Sequence, residues 1–262
     1  MRRDLRILLV NDDGWDAPGM QVLRRIAAQV SDDVWVVAPD SNQSGAGHRF
    51  SLALELELIE REERVYSLNG TPADCVVAGM THVLKDRKAD VVLSGVNRGQ
   101  NIADLIHCSG TVAGAREGAL QNALGIALSQ SHDFSADHLM SWEVTEAFAV
   151  DLVQTLIEAS AGFETYYNVN FPRCRLEQVA GVKVVPHQRF ARSPFELYPS
   201  DNPGKHFVAI LETPLPIDPE ADVSALLENN AITVTPLILQ QTDKAAIDAL
   251  QRRFLAKARG AA

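Results

Sequence analysis

Cysteine is scarce in this chain. Cys75, Cys108 and Cys174 are the only three in 262 residues, an odd number with no Cys-x-x-Cys pair. That argues against a disulfide framework and against a cysteine-built zinc site. Positive charge is short as well: 24 Lys and Arg against 34 Asp and Glu give a formal net charge of -10 and a pI near 5.2. Such a surface repels the phosphates of a nucleic acid polymer. A small anion remains admissible, because one metal ion or one helix N-terminus reverses the field locally. No apolar run approaches the length of a membrane span. The start, Met1-Arg2-Arg3-Asp4, is basic only briefly, and the apolar run Ile7 to Val10 stops at Asn11-Asp12-Asp13, too short for a signal peptide. These absences predict a cytoplasmic protein with neither a polymeric nucleic acid nor a membrane as partner.

Several catalytic signatures are missing too. No Gly-x-Gly-x-x-Gly follows the first apolar run, and there is no P-loop, no His-Glu-x-x-His and no Gly-x-Ser-x-Gly elbow. The Asp-x-Asp pattern of aspartyl-phosphate phosphatases is also absent from the first strand.

What is present is an ordinary globular composition, 46% hydrophobic and 22% charged, long enough to bury a sheet between helices. Ile7 to Val10 reads as a buried strand, Pro18 to Val30 as an amphipathic helix, and Val34 to Ala38 as a second buried strand. This βαβ unit opens a doubly wound parallel sheet. Thr71-Pro72-Ala73-Asp74 has the form of a capped helix start. Further along, the pattern predicts a strand over 90–94, a helix over 111–124, a strand over 125–128, a long helix through Val144 to Leu156, and a strand over 166–171. Past about Val185 prolines recur, with strand-like runs at 207–211 and 232–239 and a last helix carrying Ile247, Leu250, Phe254 and Leu255. The expected division is a Rossmann-like α/β core over 1–185 and C-terminal hairpins plus a terminal helix over 186–262, acting as an oligomerisation arm.

Ligands of open α/β sheets bind beyond the carboxyl ends of the strands. The residues there are Asn11-Asp12-Asp13-Gly14, then Asp40 to Ser44 with Gly47-His48, then Gly95 to Asn101 leading to Ser109-Gly110-Thr111. An isolated Asp-Asp pair is most often a solvated turn. Here Asp12 and Asp13 directly follow a buried strand, where a divalent cation would relieve their repulsion. Ser44 and Asn97 add neutral oxygens, making a hard, all-oxygen donor set that suits magnesium, manganese or calcium better than zinc or copper. Ser109-Gly110-Thr111 opens an Ala-rich helix, and its free N–H groups and hydroxyls form a cradle for phosphate. Simple N-capping uses the same geometry, so the two readings stand side by side. His48 and His107 lie close by with no assigned role.

Taken together, these segments give the chain a resemblance to the SurE family of nucleotidases. The likeness is carried by Ile7–Gly14, Val37–Asp40 with Gln43-Ser44 and Gly47-His48, Asn69–Cys75, Ser94–Asn101, Ser109–Ala113, Asn168–Pro172 and Ile232–Leu237. It departs at Cys108, where the family usually has an aromatic residue or histidine, and over 190–230. The resemblance implies hydrolysis of nucleoside 5′- and 3′-monophosphates, with terminal phosphate of short polyphosphate as a further substrate. It implies one divalent metal per subunit at Asp12, Asp13, Ser44 and Asn97, and a phosphate site at Asn101, Ser109, Gly110 and Thr111. It also implies a homodimer or homotetramer with an exchanged C-terminal arm. Asp12 and Asp13 are the candidate catalytic groups. Two rival readings use the same edge: a nucleotide or metal sensor without turnover, and a transferase that acts only with an acceptor.

Overall fold

The computed structural model describes residues 5–133, 140–160, 162–210 and 213–260; Met1 to Asp4, the brief basic start, lie outside them. The chain opens with β1 (Arg6–Val10), α1 (Pro18–Val30) and β2 (Asp33–Pro39). Next come β3 (Leu58–Glu62), β4 (Val65–Leu68) and α2 (Pro72–Ala78). β5 (Val91–Arg98), α3 (Gly110–Leu120), β6 (Leu124–Gln130), α4 (Glu143–Ala159) and β7 (Thr165–Phe171) complete the alternating pattern. β8 (Val182–Val184), β9 (Phe195–Pro199), β10 (His206–Ile210), β11 (Ile232–Ile238) and α5 (Lys244–Gly260) follow.

One nine-stranded sheet runs β3-β4-β2-β1-β5-β6-β7-β11-β8. The pairings from β4 across to β7 are all parallel, while β3 and β11 pair antiparallel with β4 and β7. The strand order reverses between β1 and β5, the topological switch point where such sheets bind ligands. Alternation along β1 sorts its side chains into two layers. Ile7 and Leu9 pack with α1 and α4 residues such as Leu23, Ile26 and Val153, while Leu8 and Val10 pack with Cys75, Val76 and Met80 of the α2 region. Burying Leu23 or Ile26 fully contributes about 1.5–3 kcal/mol each, so apolar spacing fixes which face of α1 meets the sheet. No helix among the described residues is long and apolar enough to cross a membrane.

The Thr71 start behaves as its sequence predicts. Its hydroxyl accepts from Asp74 N at 3.3 Å, and the Asp74 carboxylate accepts from Thr71 N at 2.9 Å, a closed capping box. Several elements differ from expectation. α3 ends at Leu120 rather than Leu124, because Asn122 turns into the left-handed region at φ 66° and starts β6 early. β3 is charged at Glu60, Arg61 and Glu62, and β4 is only four residues long, so neither stands out as a strand in the sequence. β11, which the expected division assigns to the tail, lies inside the main sheet between β7 and β8 with Ile232 to Thr235 buried. The sheet is therefore completed by residues beyond 185. The β9–β10 hairpin is a separate two-stranded sheet.

Candidate active site at the carboxyl edge of the sheet

β1 delivers Asn11 to Gly14 as a turn locked by one side chain. Asn11 Nδ2 donates to Gly14 O at 2.7 Å, and Asn11 Oδ1 accepts from Gly14 N at 3.2 Å. This aims Asp12 inward and Asp13 outward. Asp12 is buried at 4% exposure, and its Oδ1 accepts from Thr111 Oγ1 at 2.7 Å. Burial and the neighbouring charge of Asp13 push the Asp12 carboxyl up to about 6, against the hydrogen bonds from the Thr111 hydroxyl and main chain. Asp13 is also raised by burial, opposed by the Arg98 main-chain N–H and guanidinium.

The second strand end is tied to the first by its backbone. Gln43 N donates to Asp12 O at 2.7 Å. Asn42 then spans the gap, with Nδ2 3.4 Å from Asp13 Oδ1 and its Oδ1 accepting from Ser44 N at 2.8 Å. Ser44 is exposed at the rim. The third strand reaches further than expected: β5 runs to Arg98, so Asn97 sits within it, opposite Ser129 of β6. Asn97 Nδ2 donates to Gly99 O at 2.8 Å. It adjoins Arg98, whose main chain reaches Asp13.

The N-terminus of α3 presses against Asp12. A Cβ on Gly110 would lie 2.8 Å from Asp12 Cβ and 3.0 Å from Asp12 Oδ2, so only glycine fits this approach. Ser109 caps the helix, its Oγ accepting from Val112 N at 3.0 Å. Capping is thus realised, and because Ser109 Oγ accepts there, its own hydroxyl proton remains to be donated. The structure joins Asp12, Gly110 and Thr111 directly and links Asp13, Ser44 and Asn97 through Asn42 and Arg98.

Asn101 is placed differently from its neighbours. It is nearly buried, its N–H donates to Asn170 Oδ1 at 2.8 Å, and its Nδ2 donates to Ser129 Oγ at 2.9 Å. Its carbonyl accepts from Asn168 Nδ2 at 2.7 Å and Asn170 Nδ2 at 3.1 Å. Asn168 and Asn170 on β7 were not candidates from sequence. The signal for them was two asparagines at alternate positions of an otherwise apolar strand, where an unpaired carboxamide is costly.

His48 Nε2 lies 2.9 Å from the buried Glu117 Oε2 on α3, while Gly47 N donates to Cys108 O at 3.0 Å. These contacts pin the loop after β2 against α3. His107 is held below the usual histidine range by partial burial, then by Arg116 and His187. Asp104, His107 and His187 bring their ligand atoms within 4.8 Å of one another. Asp104 and His187 were not candidates from sequence either, since 83 residues and several elements separate them.

Known proteins resemble this chain in sequence and in fold. A family model described as Survival protein SurE matches residues 7–193. The chain is 40% identical to a protein named 5′-nucleotidase SurE from Afipia carboxidovorans, over 95% of this chain and 99% of that one. A protein of the same name from Parvibaculum lavamentivorans is 42% identical over 95% of this chain and 92% of its own length. The crystal structure of Sure protein from Aquifex aeolicus superposes with a TM-score of 0.81 at 33% identity, covering 94% of this chain and 98% of that one. A sheet that reverses at β1 and β5, with an acid pair meeting a capped helix at that point, and likeness over nearly the whole length lead to one assignment: the chain belongs to the SurE family.

Proposed function

We propose that this chain is a 5′-nucleotidase, a metal-dependent phosphomonoesterase that hydrolyses nucleoside 5′- and 3′-monophosphates to nucleoside and phosphate. The terminal phosphate of short polyphosphates is a further substrate in this reading. The observation that carries it is the Thr111 Oγ1–Asp12 Oδ1 bond of 2.7 Å, which makes the acid pair and the phosphate cradle one site. The names of the relatives supply the substrate class.

The residues fit a hard divalent cation, magnesium or manganese, one per subunit. Two adjacent carboxylates are both raised by burial, and the neutral oxygens of Ser44 and Asn97 come from the neighbouring strand ends that Asn42 and Arg98 link to Asp13. Asp12, Asp13, Ser44 and Asn97 would hold the ion. Bound there, it supplies charge neutralisation for the phosphoryl group and orients a water. The chain's own groups do the rest. The free N–H groups of the α3 start and the Ser109 hydroxyl hold phosphoryl oxygens, where they stabilise charge as it builds. Asn101 keeps one amide hydrogen and its carboxamide oxygen for substrate, while Asn168 and Asn170 fix its backbone. Asp12 is the group that would take the proton of the attacking water.

The partner is a second copy of the chain, in a homodimer or homotetramer. One face of the β9–β10 hairpin carries Phe195, Leu197, Val208 and Ile210, all exposed, and α5 exposes Ile247, Leu250, Phe254 and Leu255. An isolated two-stranded hairpin is marginal in water, so this arm gains its stability by docking on another subunit. The division into a catalytic core over 1–185 and an arm over 186–262 is kept for the hairpin and α5, with β11 counted in the core sheet.

Phosphate release from a panel of 5′- and 3′-nucleotides, with manganese and with chelator, tests the reading. Asp13→Asn is expected to weaken metal binding and abolish turnover with the fold intact. Turnover that survives both the substitution and chelation counts against it. Tight nucleotide binding without phosphate release would instead favour the sensor.

A further inference from the structure

A second set of ligand groups lies outside the oxygen site. Asp104 and His107 are three residues apart on a one-turn 3-10 helix, Ala103–His107. At three residues per turn, positions i and i+3 eclipse, so both side chains project from one face. His187 comes from the segment after β8, its ring 6.3 Å from that of His107 and nearly perpendicular to it at 88°. All three ligand atoms lie within 4.8 Å of one another.

The arrangement is braced from behind. Asp222, fully buried, accepts from Gln188 N through Oδ1 at 2.8 Å and from Ala103 N through Oδ2 at 2.9 Å. One carboxylate thus clamps the residue after His187 to the residue before Asp104. Asp104 Oδ2 accepts from Phe190 N at 3.0 Å. Asp104 Oδ1 is sealed from solvent and accepts no hydrogen bond; Arg189 Nη1 stands 3.1 Å away as an ion pair without hydrogen-bond alignment. Among the described residues, neither imidazole makes a hydrogen bond. A carboxylate whose Oδ1 is paired only with the exposed Arg189, and two imidazoles without hydrogen bonds among the described residues, lie close enough together to share one ion.

We propose that Asp104, His107 and His187 form a second metal site, selective for a zinc-class transition ion and distinct from the oxygen site at Asp12 and Asp13. Two imidazole nitrogens and one carboxylate oxygen suit zinc or cobalt and leave a fourth position open to water. Bond lengths near 2.0–2.1 Å require donors about 3.3 Å apart, a closure that side-chain rotation supplies because His107 is exposed. Arg189 is 73% exposed at its side chain and turns out into water when the cation enters. Arg116, the other nearby cation, is held on Tyr166 Oη at 2.9 Å. The ion would staple the turn that leads into Ser109 to the segment after β8.

Cobalt titration of the chelator-treated, full-length protein tests this by visible absorption. The expected result is an intense tetrahedral spectrum saturating at one equivalent, displaced by zinc and retained in Asp13→Asn. His107→Ala and His187→Ala should each weaken cobalt binding about 100-fold or more. Zinc at a hundredfold excess over Kd should raise the wild-type Tm by about 5–10 °C and leave both variants unmoved. Should His187→Ala fail to fold, His107 carries the test, since it is exposed. The proposal is overturned by absence of the spectrum, by its persistence in the folded histidine variants, or by its loss in Asp13→Asn alone.

Discussion

Gly110→Ala separates the geometry of the site from the stability of the chain. The added methyl group would meet Asp12 Cβ at 2.8 Å, Asp12 Oδ2 at 3.0 Å and Pro72 Cγ at 3.1 Å. None of these is the free end of a flexible chain: Asp12 is held by Thr111, and Pro72 opens α2. Relief must come from moving the α3 start away from Asp12 by several tenths of an ångström. Overpacking of this kind costs about 1–3 kcal/mol, partly offset by the roughly 1 kcal/mol advantage of alanine over glycine in a helix. The net loss of about 0–2 kcal/mol lowers Tm by a few degrees, about 2–4 °C per kcal/mol for a chain of this size. Activity should suffer far more, because misplacement approaching 1 Å in a positioned site costs about 100-fold. Gly118→Ala is the control. Its Cβ would meet Val92 Cβ at 2.6 Å, on the same helix but against the core rather than the acid pair. Urea unfolding should give the two variants comparable losses, while kcat/KM per folded molecule falls about 100-fold for Gly110→Ala and stays within a few-fold for Gly118→Ala. Wild-type kcat/KM in a folded Gly110→Ala protein would refute the claim that the helix start and Asp12 act as one unit.

Three other outcomes follow from named contacts. Thr111→Val removes the hydroxyl that serves the buried Asp12 Oδ1 and should cost about 1–3 kcal/mol by urea unfolding, with kcat reduced about tenfold; an unchanged kcat would dissociate Thr111 from the chemistry. Asp33 is raised by burial but brought below its usual 3.8 by Arg6, Trp35 and Arg64, so its stabilising effect is present above about pH 4 and fades as pH falls through the lowered value. The stability advantage of wild type over Asp33→Asn, about 1–2 kcal/mol at neutral pH, should therefore shrink toward pH 3, and a gap that stays constant would contradict the assignment. Leu197→Asp sets a charge in the apolar face shared with Val208, so light scattering should report a smaller assembly than wild type with unchanged circular dichroism; a monomeric wild type would end the arm proposal.

The sequence by itself determined the layered α/β core, because burial there follows strict periods. Ile7 to Val10 is apolar on both faces, α1 repeats its apolar residues at helical spacing, and Thr71-Pro72-x-Asp74 closes a local box within three residues. The local chemistry at element ends was legible too: Asn11 and Asp12 sit where the chain leaves β1, and Ser109 and Thr111 where it enters α3. Only the tertiary structure decided what depends on distant partners. β3 and β4 are strands through pairing rather than apolar pattern, and β11 joins the main sheet because β7 offers it an edge. Asn168 and Asn170 became visible only when their carboxamides met the backbone of Asn101. The Asp104, His107 and His187 cluster is a product of Asp222 drawing two remote segments together, and no local rule announces a contact between residues 103, 188 and 222.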